Sequence, residues 1–71
     1  MHLEPLINIV KSRRETLQIT QDELSQLSGV GLRTLKQFES GKGNPTLQTL
    51  QKLAETLGLE VTLKVKSMDD L

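Results

Sequence analysis

Apolar side chains near the start of the chain recur every three or four positions, which is the spacing of one face of an α-helix. They are Leu3, Leu6, Ile7, Val10 and Leu17. The pattern predicts a first helix over about 5–17. Arg14 lies within the same stripe, and a guanidinium that faces a core is costly unless a carboxylate pairs with it. The sequence therefore predicts an acidic partner for Arg14 elsewhere in the chain.

A second, short helix is predicted to begin after Thr20. Glu23 follows three positions later, and this spacing is that of a capping box, in which each side chain bonds the backbone N–H of the other residue. Gly29 provides a residue that adopts the left-handed conformation that commonly ends a helix. Between these signals, Leu24 and Leu27 are the expected inward positions.

Two further helices follow, each bounded by recognisable residues. Leu35 and Phe38 restore the helical spacing and predict a third helix over about 32–40, only three residues after the second one ends. Thr46 is a cap residue for a fourth helix, which Gly58 ends. The expected inward residues of this last helix are Leu47, Leu50, Leu53, Ala54 and Leu57.

From residue 59 the spacing of apolar residues changes to that of a β-strand. Apolar and polar residues alternate, the apolar ones being Leu59, Val61, Leu63 and Val65, and this alternation is typical of a half-buried strand. A lone strand leaves unpaired N–H and C=O groups, which the same strand of a second copy can pair with across a twofold axis. We therefore expect a homodimer that closes through about 59–66, followed by a flexible tail over 67–71.

The size and composition limit the architecture. A chain of 71 residues without cysteine has a marginal core and no disulfide to stabilise it, so oligomerisation is the expected stabiliser. No apolar run approaches the roughly 18 to 20 residues of a membrane span. We expect one domain over 1–66, with no membrane association, no metal and no cofactor.

The distribution of charge matters more than its sum. The formal net charge is zero, which on its own argues against a nucleic-acid partner. Between residues 31 and 45, however, the cations Arg33, Lys36 and Lys42 accompany only one acid, Glu39. The chain has a single histidine and no tyrosine, and it lacks a phosphate-binding glycine loop with a following Lys-Ser/Thr pair. A local basic face therefore favours DNA binding, and the sequence lacks the residues of an enzyme.

Two short helices joined by a tight glycine-containing turn form a helix-turn-helix, in which the second helix enters the DNA major groove. The segments 20–25, 29–30, 35–42 and 44–47 resemble the phage-repressor-like (Cro, XRE) DNA-binding family. This resemblance covers about 9–58, and the added strand makes the chain similar to HipB-type antitoxins in particular. It implies a mostly α, four-helix lambda-repressor-like domain with one C-terminal β-strand that pairs across a dimer.

The resemblance also implies partners. It predicts a cytoplasmic, nucleoid-associated repressor that binds double-stranded DNA as a homodimer on a palindromic operator. For a HipB-type antitoxin it adds a HipA-like kinase toxin as a second partner. Two functions therefore remain open, namely repression, with its own promoter as an expected target, and a protein-interaction role in which neutralising a toxin is the main task.

The third helix presents the expected base-reading residues. With Leu35 and Phe38 inward, Arg33 and Gln37 fall almost opposite the core at 3.6 residues per turn. Arginine suits guanine O6 and N7, and glutamine suits adenine N6 and N7, although exposed polar pairs are often only a solvated face. The family resemblance adds Leu32, either as an apolar contact to a thymine methyl or as a packing residue.

The remaining expected site residues hold the DNA backbone or the fold. Gln21 opens the second helix, where free N–H groups favour a phosphate. The full set of expected phosphate contacts is Gln21, Thr34, Lys36, Lys42 and Asn44, of which the two lysines are also explained as ordinary surface residues. The family resemblance pairs Arg14 with Glu39 in a structural ion pair.

Overall fold

Four helices make up the regular structure of residues 3–66, the part of the chain that this computed structural model describes. They are α1 (Glu4–Thr16), α2 (Gln21–Ser28), α3 (Leu32–Glu39) and α4 (Leu47–Leu57). The four predicted helices are confirmed, and α1 and α3 lie within one residue of their expected bounds. None of them is long and apolar enough to span a bilayer. The tail predicted over 67–71 lies outside the described residues.

The ends of α2 show how local sequence sets the helix boundaries. The Thr20 hydroxyl accepts a hydrogen bond from the Glu23 backbone N–H at 3.1 Å, and the Thr20 backbone N–H donates to the Glu23 carboxylate at 3.0 Å. Gly29 ends the helix with φ +79°, and its N–H donates to the Ser25 carbonyl. The predicted capping box and glycine stop are therefore confirmed.

The capping box predicts a pH dependence of stability. Hydrogen bonds from the backbone N–H and hydroxyl of Thr20 lower the pKa of Glu23 below its ordinary value. A carboxyl with a lowered folded-state pKa stabilises the fold above its unfolded pKa of about 4.3, and this contribution is lost as the pH falls through the folded value. Glu23→Gln keeps an acceptor oxygen but does not titrate, so the difference in Tm between the wild type and this variant should shrink on acidification from about pH 7 to about pH 2.5. A pH-independent difference in thermal unfolding would contradict the assignment.

The core lies where the inner faces of all four helices meet. α1 packs on α3 and α4, and α2 packs on the same two helices. The buried apolar residues are Ile7, Val10, Leu24, Val30, Leu35, Phe38, Leu53, Ala54 and Leu57. Because Leu35 and Phe38 hold one face of α3 in this core, the opposite face of α3 lies toward solvent.

Four of the predicted inward leucines are instead exposed. Leu27 is 66% exposed and Leu47 is 65% exposed, while Leu6 and Leu17 are each 40% exposed. Leu27 is three residues from the fully buried Leu24, so it lies on the flank of a helix whose neighbours cover only a narrow arc. Leu47 is the first residue of α4, and Leu17 follows the last residue of α1. Those predictions were wrong because burial at a flank or end depends on which neighbours extend that far.

The segment 59–66 has no regular secondary structure in the single chain. Leu59 packs against the core, and its N–H donates to the Ala54 carbonyl at 2.8 Å. Farther along, Val61 is 46% exposed, Leu63 is 97% exposed and Val65 is 98% exposed. The predicted strand is thus not formed within one chain, and its apolar side chains after Leu59 remain exposed to solvent.

Candidate nucleic-acid interface

The outward face of α3 is polar and basic. Arg33 and Gln37 lie one helical turn apart, and both are exposed. We call these two residues the recognition ridge. Thr34 and Lys36, also exposed, flank it on either side. The helical-wheel expectation and the observed exposure therefore agree on which side chains of α3 can reach another molecule.

Leu32 differs from the ridge because it is half-buried. It is the first residue of α3, and the preceding Gly31 makes no side-chain capping hydrogen bond. Leu32 is therefore partly covered by the fold and partly accessible, at the position before Arg33. Both interpretations of Leu32 given by the sequence are compatible with this position.

A bidentate ion pair joins α1 to the end of α3. Arg14 Nε and Nη2 donate to the Glu39 carboxylate at 2.8 and 2.9 Å, and Arg14 Nη1 donates to the Ile19 carbonyl at 2.9 Å. The two side chains are only 15% and 3% exposed. The hydrogen bond to Glu39 raises the pKa of Arg14 above its ordinary value. Arg14 is therefore the cation that neutralises Glu39 inside the fold.

Gln21 adds a third helix to this network. Its Nε2 donates to Glu39 Oε1 at 3.0 Å, so α1, α2 and α3 meet at one carboxylate. A phosphate oxygen only accepts hydrogen bonds, and one amide N–H of Gln21 is already engaged. A phosphate contact by Gln21 would therefore use its second amide N–H or its backbone N–H. No local sequence pattern predicts the bond to Glu39, because the two residues are 18 positions apart.

A polar notch lies beside this network. It has a volume of about 410 Å³, and its lining includes Lys11 and Lys36 together with the three networked residues and Ser40. The notch thus brings Lys36 and Gln21, two expected phosphate contacts, to one place. Lys11 was missed by sequence reasoning, although it lies three residues before Arg14 and hence on the same side of α1.

The loop after α3 folds back onto the end of that helix. The Lys42 N–H and the Ser40 hydroxyl both donate to the Gln37 carbonyl, at 2.8 and 3.0 Å. On this side of α3 a smaller cleft of about 90 Å³ is lined by Thr34, Gln37, Phe38, Gly43, Asn44 and Pro45. The structure therefore places Thr34 and Asn44 with Gln37, on the side of α3 that faces the loop.

The electrostatics of this region favour an anionic partner. Glu39 is the only acid between residues 31 and 45, and Arg14 already neutralises it. The positive charges of Arg33, Lys36 and Lys42 thus have no acidic counterpart within this stretch. An outward basic face next to a polar ridge suits a nucleic-acid backbone with exposed base edges.

The sequence is similar to known regulators. A family model described as helix-turn-helix matches residues 10–64. The cryptic phage CTXphi transcriptional repressor RstR of Vibrio cholerae is 32% identical over 50 residues, which cover 70% of this chain and 45% of that protein. An uncharacterised HTH-type transcriptional regulator of Haemophilus influenzae is 40% identical over 65 residues, covering 87% of this chain and 66% of that protein. Antitoxin HipB of Escherichia coli is 36% identical over 58 residues, covering 82% of this chain and 66% of HipB. No solved structure gives a significant match.

The helix pair α2 and α3, with its tight turn and outward polar face, defines a helix-turn-helix domain of the class found in transcriptional regulators. The chain belongs to the phage-repressor-like (XRE) helix-turn-helix family and is similar to both RstR and HipB. It spans less than half of the length of RstR and about two thirds of the Haemophilus regulator.

Proposed function

We propose that this protein is a sequence-specific transcriptional repressor that binds a palindromic operator as a homodimer, with its own promoter as one target. The observation that supports this most is the recognition ridge, which projects from α3 on the side opposite the buried Leu35 and Phe38. In a helix-turn-helix domain this is the side that enters the major groove. The dimer, bound to its operator through base reading by the ridge, then blocks transcription.

The ridge and its surroundings have separate tasks in this proposal. Arg33 reads guanine through O6 and N7, and Gln37 reads adenine through N6 and N7. Leu32 adds an apolar contact at the end of the ridge. The phosphate contacts come from the flanks and the loop, and they hold the register of the protein without reading sequence. They are Gln21, Thr34, Lys36, Lys42 and Asn44.

The dimer in this proposal closes through about 59–66. Antiparallel pairing of two copies satisfies the backbone groups of a lone strand and removes Val61, Leu63 and Val65 from water. Leu59 anchors the segment to the core, and a shallow groove next to it is lined in part by Ile9 of α1, which is 54% exposed. A twofold pair built in this way presents two α3 helices to half-sites about 34 Å apart.

The test of this function is the base preference of Arg33→Ala. A duplex selected by the wild-type protein from a randomised palindromic library serves as the probe, with all single-base variants, in fluorescence anisotropy. We expect Arg33→Ala to lose about 1 to 3 kcal/mol of binding free energy per half-site and to relax preference at one base pair of each half-site.

Lys42→Ala is the matched control, because it also removes one exposed cation. It should weaken binding about equally on every sequence and lower the salt slope by about one ion for each subunit of the dimer. If Arg33→Ala weakened all duplexes equally in the same salt series, Arg33 would be a phosphate contact, and the assignment of the ridge would be incorrect.

The similarity to antitoxin HipB favours a second function. We propose that the repressor is also the autoregulating antitoxin of a toxin–antitoxin system, with a HipA-like kinase toxin as its partner. In the alternative form of this proposal, toxin neutralisation is the main task and DNA binding is secondary. Purification from the native host discriminates between these cases, since a stoichiometric partner protein supports the antitoxin role and a DNA-binding dimer alone supports the repressor role.

A further inference from the structure

The loop after α3 approaches the recognition ridge at Gly43. A Cβ at this position would lie 3.7 Å from Gln37 Cβ and 3.8 Å from Gln37 Oε1. The approach is fixed by short hydrogen bonds, because both Lys42 and Ser40 donate to the Gln37 carbonyl. Gly43 therefore keeps a defined position next to the amide group that we assign to base reading.

The amide of Gln37 must be oriented to read a base. Recognition of adenine requires the amide oxygen to accept from N6 while the amide nitrogen donates to N7. In the present structure, Gln37 lines the small cleft together with Thr34, Pro45 and Gly43, among others, and its Oε1 lies 3.8 Å from the position of a Cβ at Gly43. Because Gly43 has no side chain, only its backbone can bring a polar group of this residue close to Gln37 Oε1.

We infer that Gly43 is a specificity-determining position, because its missing side chain leaves Gln37 Oε1 available to a base edge. A side chain with an N–H donor at this position would engage Oε1 and would change the base that Gln37 selects. The inference rests on the proposed base reading by Gln37. It assigns to the loop a part in sequence preference, in addition to its expected contacts with phosphates.

The positive φ of the backbone is a second explanation for a glycine at this position. A comparison with Gly41 distinguishes this explanation from the contact with Gln37. Gly43 has φ +81° and Gly41 has φ +82°, so either position is strained for most side chains. A Cβ at Gly41, however, would have no heavy atom within 4 Å among the described residues other than its chain neighbours. A substitution at Gly41 therefore reproduces the backbone cost without the contact to Gln37.

The experiment compares Gly43→Asn with Gly41→Asn, since asparagine tolerates the left-handed region better than most residues. Gln37→Ala first identifies the base position at which preference is lost. Both asparagine variants are then titrated in fluorescence anisotropy with the selected palindromic duplex and with the three duplexes that carry the other bases at that position. We expect Gly43→Asn to change the preference at that position by about tenfold, which is the scale of one good base contact. Gly41→Asn should leave the preference unchanged.

The outcomes separate the inference from the function on which it rests. If Gln37→Ala alters no base position, the proposed reading by Gln37 fails. If Gln37→Ala alters one position but the two asparagine variants share the wild-type preference there, the inference about Gly43 is overturned. Thermal unfolding verifies that the variants are folded. If an asparagine variant is unfolded, the pair Gly43→His and Gly41→His replaces them under the same criterion, because histidine also carries an N–H donor and is among the residues enriched in the left-handed region.

Discussion

Arg14→Ala is expected to lower the free energy of unfolding by about 3 to 5 kcal/mol, because it leaves the carboxylate of Glu39 buried without its cation. The Glu39 side chain is only 3% exposed, and Arg14 supplies two of its hydrogen bonds. The variant also leaves the Ile19 carbonyl without the Nη1 donor. For a domain of this size such a loss approaches the whole stability of the fold.

The control for this prediction removes both charges. A double variant, Arg14→Met with Glu39→Leu, fills the same space with apolar side chains, and its stability should lie near that of the wild type. Urea unfolding followed by circular dichroism gives the three free energies. A loss below about 1 kcal/mol in Arg14→Ala, the scale of a surface salt bridge, would show that the pair contributes no more than an exposed one.

Leu63→Asp is expected to give a folded monomer that binds the operator on the order of a hundredfold more weakly. Leu63 is 97% exposed in the single chain, so its replacement removes no contact within the subunit. In the proposed dimer the same substitution places a charge in the apolar layer of the paired strands. Loss of the dimer removes the gain in affinity that comes from two linked half-site contacts, which reaches about a hundredfold or more.

Thr62→Asp is the matched control, since it introduces the same charge at the neighbouring position, which points to the opposite face of a strand. Sedimentation measures the oligomeric state, and fluorescence anisotropy measures operator binding. A dimeric Leu63→Asp with unchanged binding would contradict the proposed strand pairing. Equal dissociation of both variants would show that charge in the segment, and not its alternation, controls assembly.

The elements that sequence could predict are those set by neighbours along the chain. The capping box of Thr20 and Glu23 and the glycine stops at Gly29 and Gly58 depend on residues within one helical turn, and the structure contains all of them. The exposure of Leu27 could not be predicted in this way. It depends on how far α3 and α4 extend beside α2, which local spacing does not encode.

The candidate site also contains features that local sequence predicts and features that it does not. The outward direction of Arg33 and Gln37 follows from helical periodicity once Leu35 and Phe38 are placed in the core. The contact between Gln21 and Glu39 and the approach of Gly43 to Gln37 both depend on the path of the chain between elements. The pairing of segment 59–66 requires a second copy of the chain, so it stays a prediction.

The two faces of α3 have a consequence for how such regulators diversify. Leu35, Phe38 and Glu39 hold the inner face, while Arg33 and Gln37 have no part in the core. If Arg33 and Gln37 read bases as proposed, mutations in this outer pair after gene duplication redirect one copy to a new set of promoters while its scaffold stays intact. Related repressors can thereby coexist in one genome without controlling each other's targets.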